Sequence, residues 1–279
     1  MLDRRGLLAG GAALLGAGLA RAQAPAQTAT DLDLTGRFVQ GGHAIGRTWP
    51  HALIFVDGEA LSAASADGWF VIGFDRDAPG SVQVESRSRA RSASRTLTVA
   101  PGSFPSTAVN GLPPSTVEPS DPVLLARIRD EVVLKTEGFA SRTDADGFRD
   151  GFNWPLENYR VTSRWGAQRV LNGTPARPHY GIDLAAPQGS AIRAPAPGRV
   201  TLAQPALHFE GGLVLIDHGQ GLITAYLHQS RLEVRQGQDL MRGDLIGRVG
   251  MTGRATGPHL CWRMKWRDRN LDPSLLVRS

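Results

Sequence analysis

Between residues 31 and 100, short β-prone runs alternate with turn signals. Runs at 34–40, 52–56, 69–74, 82–86 and 95–99 are each one strand long, and Asp57-Gly58, Asp67-Gly68 and Ala78-Pro79-Gly80 punctuate them. Several short strands at this spacing predict an N-terminal β-sandwich-like domain over 31–115. Arg87, Arg89 and Arg91 alternate, so on one strand they share a face, read as solvated in preference to glycan- or phosphate-binding.

Pro101, Pro105, Pro113, Pro114 and Pro119 make 101–120 loop-like and mark a boundary. Ser120-Asp121-Pro122 then supplies a helix start, a capping side chain ahead of a proline in the first turn. Leu124, Ile128 and Val132 follow at helical spacing and Gly138 ends the segment, which predicts a helix over 121–138. That helix sits within a linker and helical connector over 116–150. Further on, alternating runs at 213–216, 223–226 and 245–249 lie between glycine-rich turns and predict an antiparallel β domain over 151–279. The expected fold class is mainly β.

The first residues read as an address. Met1-Leu2-Asp3-Arg4-Arg5 is a short basic start, 6–19 carry no charge, and Ala20-Arg21-Ala22 has the small-x-small pattern of a cleavage site. A signal peptide over 1–22 is expected, its apolar run too short for a stable span. The paired arginines resemble a twin-arginine export signal, with an ordinary secretory signal as the alternative. The predicted location is exported, in the periplasm or cell envelope. No later segment is long and apolar enough to cross a membrane.

The net charge of +5 includes Arg4, Arg5 and Arg21 against Asp3, which leaves +3 after cleavage. A charge this small reads as an ordinary soluble surface, and no nucleic-acid partner is expected. Cys261 is the single cysteine, so no intramolecular disulfide forms. In an oxidising compartment a lone thiol is expected to be buried or to hold something.

Three segments concentrate metal-binding chemistry. In Pro178-His179-Tyr180-Gly181-Ile182-Asp183, His179 and Asp183 are four apart and on a strand would reach one ion. Ala225-Tyr226-Leu227-His228 ends an apolar run, and in Gly257-Pro258-His259-Leu260-Cys261-Trp262 His259 and Cys261 are two apart, on one strand face. Imidazole, carboxylate and thiolate are all zinc ligands. His218 reads as structural and Asn172-Gly173 as a tight turn.

These segments, together with Ser163-Arg164-Trp165-Gly166, Ile216-Asp217-His218-Gly219, Gly243-Asp244-Leu245-Ile246-Gly247 and Thr252-Gly253-Arg254-Ala255-Thr256-Gly257-Pro258-His259, resemble the M23 peptidase family, the lysostaphin or LytM type, over about 120 residues. The resemblance implies a β-rich catalytic fold, one Zn²⁺ and a peptide bond of peptidoglycan stem peptides or cross-links as the target. It implies His179 and Asp183 as metal ligands and His228 and His259 as the pair handling the water. Cys261 stands where the family places its third ligand, a histidine. Two readings follow: a zinc endopeptidase with a thiolate ligand, or a degenerate domain that binds peptidoglycan or activates a partner wall hydrolase.

A thiolate in place of imidazole lowers the charge of the centre by one, so it should activate water and polarise a carbonyl less well. The Cys261→His variant is therefore expected to reach full peptidase activity at lower pH than the parent. Coincident pH–rate profiles would contradict this.

Overall fold

The computed structural model describes residues 31–89 and 91–278; the expected signal peptide over 1–22 lies outside them. Seven strands come first: β1 (Asp33–Arg37), β2 (His43–Arg47), β3 (Leu53–Val56), β4 (Glu59–Ala63), β5 (Trp69–Gly73), β6 (Ser81–Ser88) and β7 (Arg91–Thr98). They form two antiparallel sheets, ordered β1-β2-β5 and β4-β3-β6-β7. Alternate side chains, among them Leu34, Ile54, Val56, Val82, Val84 and Leu97, are buried in one cluster with Phe70 and Ile72. Arg87 and Arg91 do not share a strand, because the chain reverses between Ser88 and Arg91. Arg87 pairs with Glu85 at 2.6 Å and covers the Phe55 ring, while Arg91 covers Trp49.

Within the stretch expected to be a loop lies β8 (Ser106–Val109), followed by α1 (Pro122–Phe139). The Asp121 side chain accepts a hydrogen bond from the Val123 amide, with Pro122 in the first turn. The buried face of α1 differs from the expected Leu124–Ile128–Val132 stripe: Val132 is half exposed, and Glu131 and Gly138 are buried. The helix docks through its polar groups as much as its apolar ones. Glu131 accepts from the His208 amide at 2.8 Å and from Arg127 at 2.7 Å, and Lys135 pairs with Glu210 at 2.7 Å. A Cβ at Gly138 would meet Leu215 at 2.8 Å, so glycine here lets the helix approach the sheet.

The remaining strands are β9 (Arg160–Ser163), β10 (Gln168–Leu171), β11 (Thr174–Pro175), β12 (Ile182–Ala185), β13 (Ala191–Arg193), β14 (Gly198–Leu207), β15 (Gly211–Asp217), β16 (Leu222–Gln229), β17 (Arg231–Leu232), β18 (Asp239–Leu240), β19 (Leu245–Arg248), β20 (His259–Trp266) and β21 (Arg269–Leu271). The largest sheet runs β18-β14-β15-β16-β20-β12-β9, with β21 on β20, and is antiparallel throughout. Every residue of β15 and β16 is buried, because both faces are covered. Val214, Ile216, Tyr226, Trp262 and Trp266 join the cluster that continues into the N-terminal strands. Leu213, Leu215, Ile223, Ala225, Leu227 and Cys261 form a second cluster on the opposite face, packed against Phe139 of α1. Two covered faces explain the unbroken apolar run at 213–216 and the apolar run at 222–227, interrupted only by Thr224, whose hydroxyl is bonded to His218 and Tyr226. Among the described residues no helix is long and apolar enough to cross a membrane.

His218, directly after β15, is fully buried and lies between Pro197 O at 2.7 Å and Thr224 Oγ1 at 2.8 Å, which in turn contacts the Tyr226 hydroxyl at 2.8 Å. The carbonyl fixes the tautomer: Nδ1–H donates to Pro197, and Nε2 accepts from Thr224. Burial pushes His218 down to about 4, so the fold binds no proton there while an unfolded chain does below about pH 6.5. That contribution to stability is whole above pH 6.5 and declines as pH falls toward 4, by up to roughly 3 kcal/mol. Urea unfolding across this range is expected to show a flatter pH dependence for His218→Gln than for the parent. Equal slopes would refute the assignment.

Candidate metal centre

Sheet register builds the centre. Asp183 of β12 and Cys261 of β20 are directly opposed Cα partners. Their neighbours in sequence, Ile182, Leu184, Leu260 and Trp262, point into the main core cluster, which leaves Asp183 and Cys261 on the other face. His259 shares the Cys261 face at a spacing of two. His179 arrives by a different route from the expected one. It precedes β12 and is not on the strand with Asp183; its backbone N–H donates to Ala167 O at 2.8 Å and its C=O accepts from Gly166 at 2.8 Å. The intervening Tyr180-Gly181 segment breaks the strand geometry on which the spacing of four relied.

One ligand atom from each of His179, Asp183 and Cys261 lies within 4.8 Å of the other two. Nε2 of His179 is 3.2 Å from Asp183 Oδ1 and 3.4 Å from Cys261 Sγ. Asp183 Oδ2 accepts from Arg169 at 2.9 Å, whereas Oδ1 is buried and, among the described residues, accepts no hydrogen bond. Nδ1 of His179 faces Ser163 Oγ at 3.3 Å, and the same oxygen accepts from Arg169 at 3.0 Å. With Nδ1–H given to Ser163, the Nε2 lone pair is free to point at the gap. An unclaimed carboxylate oxygen, an imidazole nitrogen and a sulfur converging in this way form a donor set that suits zinc.

The protonation balance fits that description. Burial works to raise the Asp183 carboxyl, but His179, His259 and Arg169 outweigh it and hold it below the usual carboxylate range. Burial lowers His179, with Asp183 opposing, so the imidazole is neutral at pH 7. Burial pushes the Cys261 thiol up to about 12, against the pull of Arg263. Without an ion the sulfur keeps its proton; a bound cation would displace it.

The two remaining histidines stand beside this cluster. His259 Nε2 is 3.8 Å from Asp183 Oδ1, and the His228 and His259 rings are 4.7 Å apart. Both tautomers are set by backbone carbonyls: His228 Nδ1–H donates to Thr252 O and His259 Nδ1–H to Gly257 O, each at 2.8 Å. Strict alternation along β16 would send His228 into the core beside Tyr226. Instead the register shifts between Gly212 and Val214, and His228 takes φ +65°, a left-handed conformation rare for a side-chain-bearing residue. That bulge turns its ring toward His259. Burial, with His259 adding to it, pushes His228 down to about 3.

Around these groups lies a groove of about 570 Å³, walled by Leu171, Phe209, Arg254 and Lys265 and also by Val109 and Leu112. The last two come from the stretch expected to be a loop. Its strand β8 pairs in parallel with β10, and Asn172 clasps Leu112 through both its side-chain oxygen and its amide, at 3.2 and 2.7 Å. Asn172-Gly173 is indeed the tight turn between β10 and β11, with φ of +48° and +87°. On the far side Arg254 donates to Thr116 O and His208 Nε2 to Ser115 O, both at 3.1 Å. His43 and His218 are buried elsewhere, and His51 lies near Asp144. Ser163 opens the Ser163-Arg164-Trp165-Gly166 motif, whereas Arg169, Arg263 and Glu210 belong to the site and carry no motif in the sequence; only the period-two run His259, Cys261, Arg263, Lys265 points to one of them.

Residues 177–273 match the model of Peptidase family M23. The Murein hydrolase activator NlpD of Salmonella dublin is 30% identical over 178 residues, which cover 64% of this chain and 44% of NlpD. The DD-carboxypeptidase/endopeptidase Mpg of Neisseria meningitidis serogroup B is 38% identical over 126 residues, 45% of this chain and 29% of Mpg. The chain thus spans less than half the length of these relatives. A crystal structure of a candidate peptidase M23 from Pseudomonas aeruginosa superposes with a TM-score of 0.67 at 28% identity, over 86% of this chain and 95% of that one. The five clustered side chains all fall inside residues 177–273, the segment that matches Peptidase family M23, with Cys261 where the resemblance expects a histidine.

Proposed function

We propose that this chain is an exported zinc-dependent endopeptidase that hydrolyses peptide bonds in peptidoglycan stem peptides or cross-links. In this reading residues 151–279 form the peptidase domain, joined through the connector at 116–150 to the N-terminal β domain at 31–115. His179, Asp183 and Cys261 hold one Zn²⁺. The observation that carries the reading is the buried Asp183 Oδ1, without a donor among the described residues and faced by His179 Nε2 at 3.2 Å, in a set of three ligand atoms within 4.8 Å. Zinc bound there supplies a Lewis acid that polarises the scissile carbonyl and activates water.

The chain's own groups handle the protons. His228 and His259 both give Nδ1–H to backbone carbonyls, so each presents an acceptor Nε2. One takes the proton of the attacking water and the pair returns it to the leaving amine. Burial lowers His228, so its imidazole is neutral at physiological pH and Nε2 can accept a hydrogen bond from the water. The groove walls at Val109, Leu112, Phe209 and Arg254 position an extended peptide and limit water at the reacting bond.

A second reading has its own support. Cys261 replaces a histidine, and a relative 30% identical to this chain is a murein hydrolase activator. In that case the groove binds peptidoglycan or a partner wall hydrolase without cutting.

Digestion of purified peptidoglycan by the metal-loaded protein is expected to release fragments of cross-linked stem peptides, to stop with chelator and to resume with added zinc. Intact wall in the presence of folded, zinc-replete protein would select the second reading. The His228→Gln variant is expected to keep its zinc and lose about 10²-fold or more in kcat/KM. Retained activity would remove His228 from the mechanism.

A further inference from the structure

The proposed ligand set opposes two groups that are negative when a metal is bound, the Asp183 carboxylate and the Cys261 sulfur, on neighbouring strands. An arginine stands against each. Arg169 donates to Asp183 Oδ2 at 2.9 Å, and Arg263 Nε donates to Cys261 Sγ at 3.4 Å. Strand geometry places Arg263 there: two residues beyond Cys261 on β20, it falls on the same face. Gly181 leaves the space for both, since a Cβ at that position would sit 2.8 Å from Cys261 Sγ and 2.9 Å from Arg263 Cγ. The Arg263 guanidinium also lies in the field of Glu210 and Asp183. Glu210 is itself anchored by Lys135 at 2.7 Å, and its Oε2 is buried without a partner among the described residues.

We propose that Arg263 is the positioning residue that makes Cys261 a metal ligand. Its guanidinium shares the negative charge of the sulfur and orients it toward His179 Nε2 and Asp183 Oδ1. A ligand set of one imidazole, one carboxylate and one thiolate cancels the charge of a divalent ion. With Arg169 and Arg263 each hydrogen-bonded to a ligand atom, the assembly is net positive again, as a centre that polarises a carbonyl requires. Arg263 is thus the counterpart of the cysteine: a neutral histidine at 261 has no charge for it to balance. This inference rests on the reading that a metal is held at His179, Asp183 and Cys261.

The test is a cycle of four full-chain proteins, the parent, Arg263→Met, Cys261→His and the double variant, each titrated with cobalt(II) against a competing chelator. The sulfur-to-cobalt charge-transfer band is followed alongside affinity. In the parent background, removing Arg263 is expected to weaken cobalt binding by about tenfold or more and to diminish the band. In the Cys261→His background the same change should leave affinity within about twofold, a split that a role in folding alone would not produce. Equal losses in both backgrounds, or no loss in the parent, would overturn the proposal. Arg263→Lys keeps the charge without the planar fork and serves if the methionine variant does not fold; it too must weaken binding in the parent alone. Failure of the parent to bind cobalt would instead overturn the metal reading itself. No step of the test depends on hydrolysis.

Discussion

Asp183 and Cys261 face each other across adjacent strands on the side of the sheet that α1 and the groove walls cover. Two acidic groups in such a position are costly to charge unless cations and hydrogen-bond donors are close by. The surroundings of the centre answer that constraint. Arg169 is held between Asp183 and Ser163, Arg263 lies against the sulfur, and His179 and His259 approach the carboxylate oxygen that nothing else claims. An ion in the middle completes this arrangement.

Keeping those groups in place draws on the whole chain. The face of the sheet that bears Cys261 is apolar under Phe139, and α1 is tied down by Glu131 at the His208 amide and by Lys135 at Glu210. The opposite face shares its core with the N-terminal strands through Tyr226, Trp262 and Trp266. The bulge at His228 is the local exception to strand order. Its left-handed backbone is strained for a histidine, and such strain persists where the surroundings over-determine it. Here the Thr252 carbonyl, which accepts from the ring, and the Glu210 carbonyl, which accepts from the His228 backbone N–H, hold it.

The sequence showed the strands with strong alternation or continuous apolar character, the capped start of α1, and the five side chains that cluster. It did not show β2, β4 and β8, which are four or five residues long and rich in Gly, Ala or Ser; partners distant in sequence define them, as in the pairing of β8 with β10. Helical spacing suggested Val132 for the buried face because periodicity records apolarity; the buried position belongs to Glu131, whose hydrogen bonds lie outside any local pattern. The spacing of His179 and Asp183 signalled proximity correctly and for the wrong geometric reason, since His179 reaches the site from a loop. Arginines are common at surfaces, so Arg169 and Arg263 stand out only once strand register places them on ligand atoms.

The central claim is that the sulfur of Cys261 belongs to the metal's coordination shell. X-ray absorption at the zinc edge of the metal-loaded protein tests it directly. One sulfur at about 2.3 Å is expected, together with nitrogen and oxygen neighbours at about 2.0–2.2 Å. A shell of nitrogen and oxygen alone, with zinc bound stoichiometrically, would contradict it.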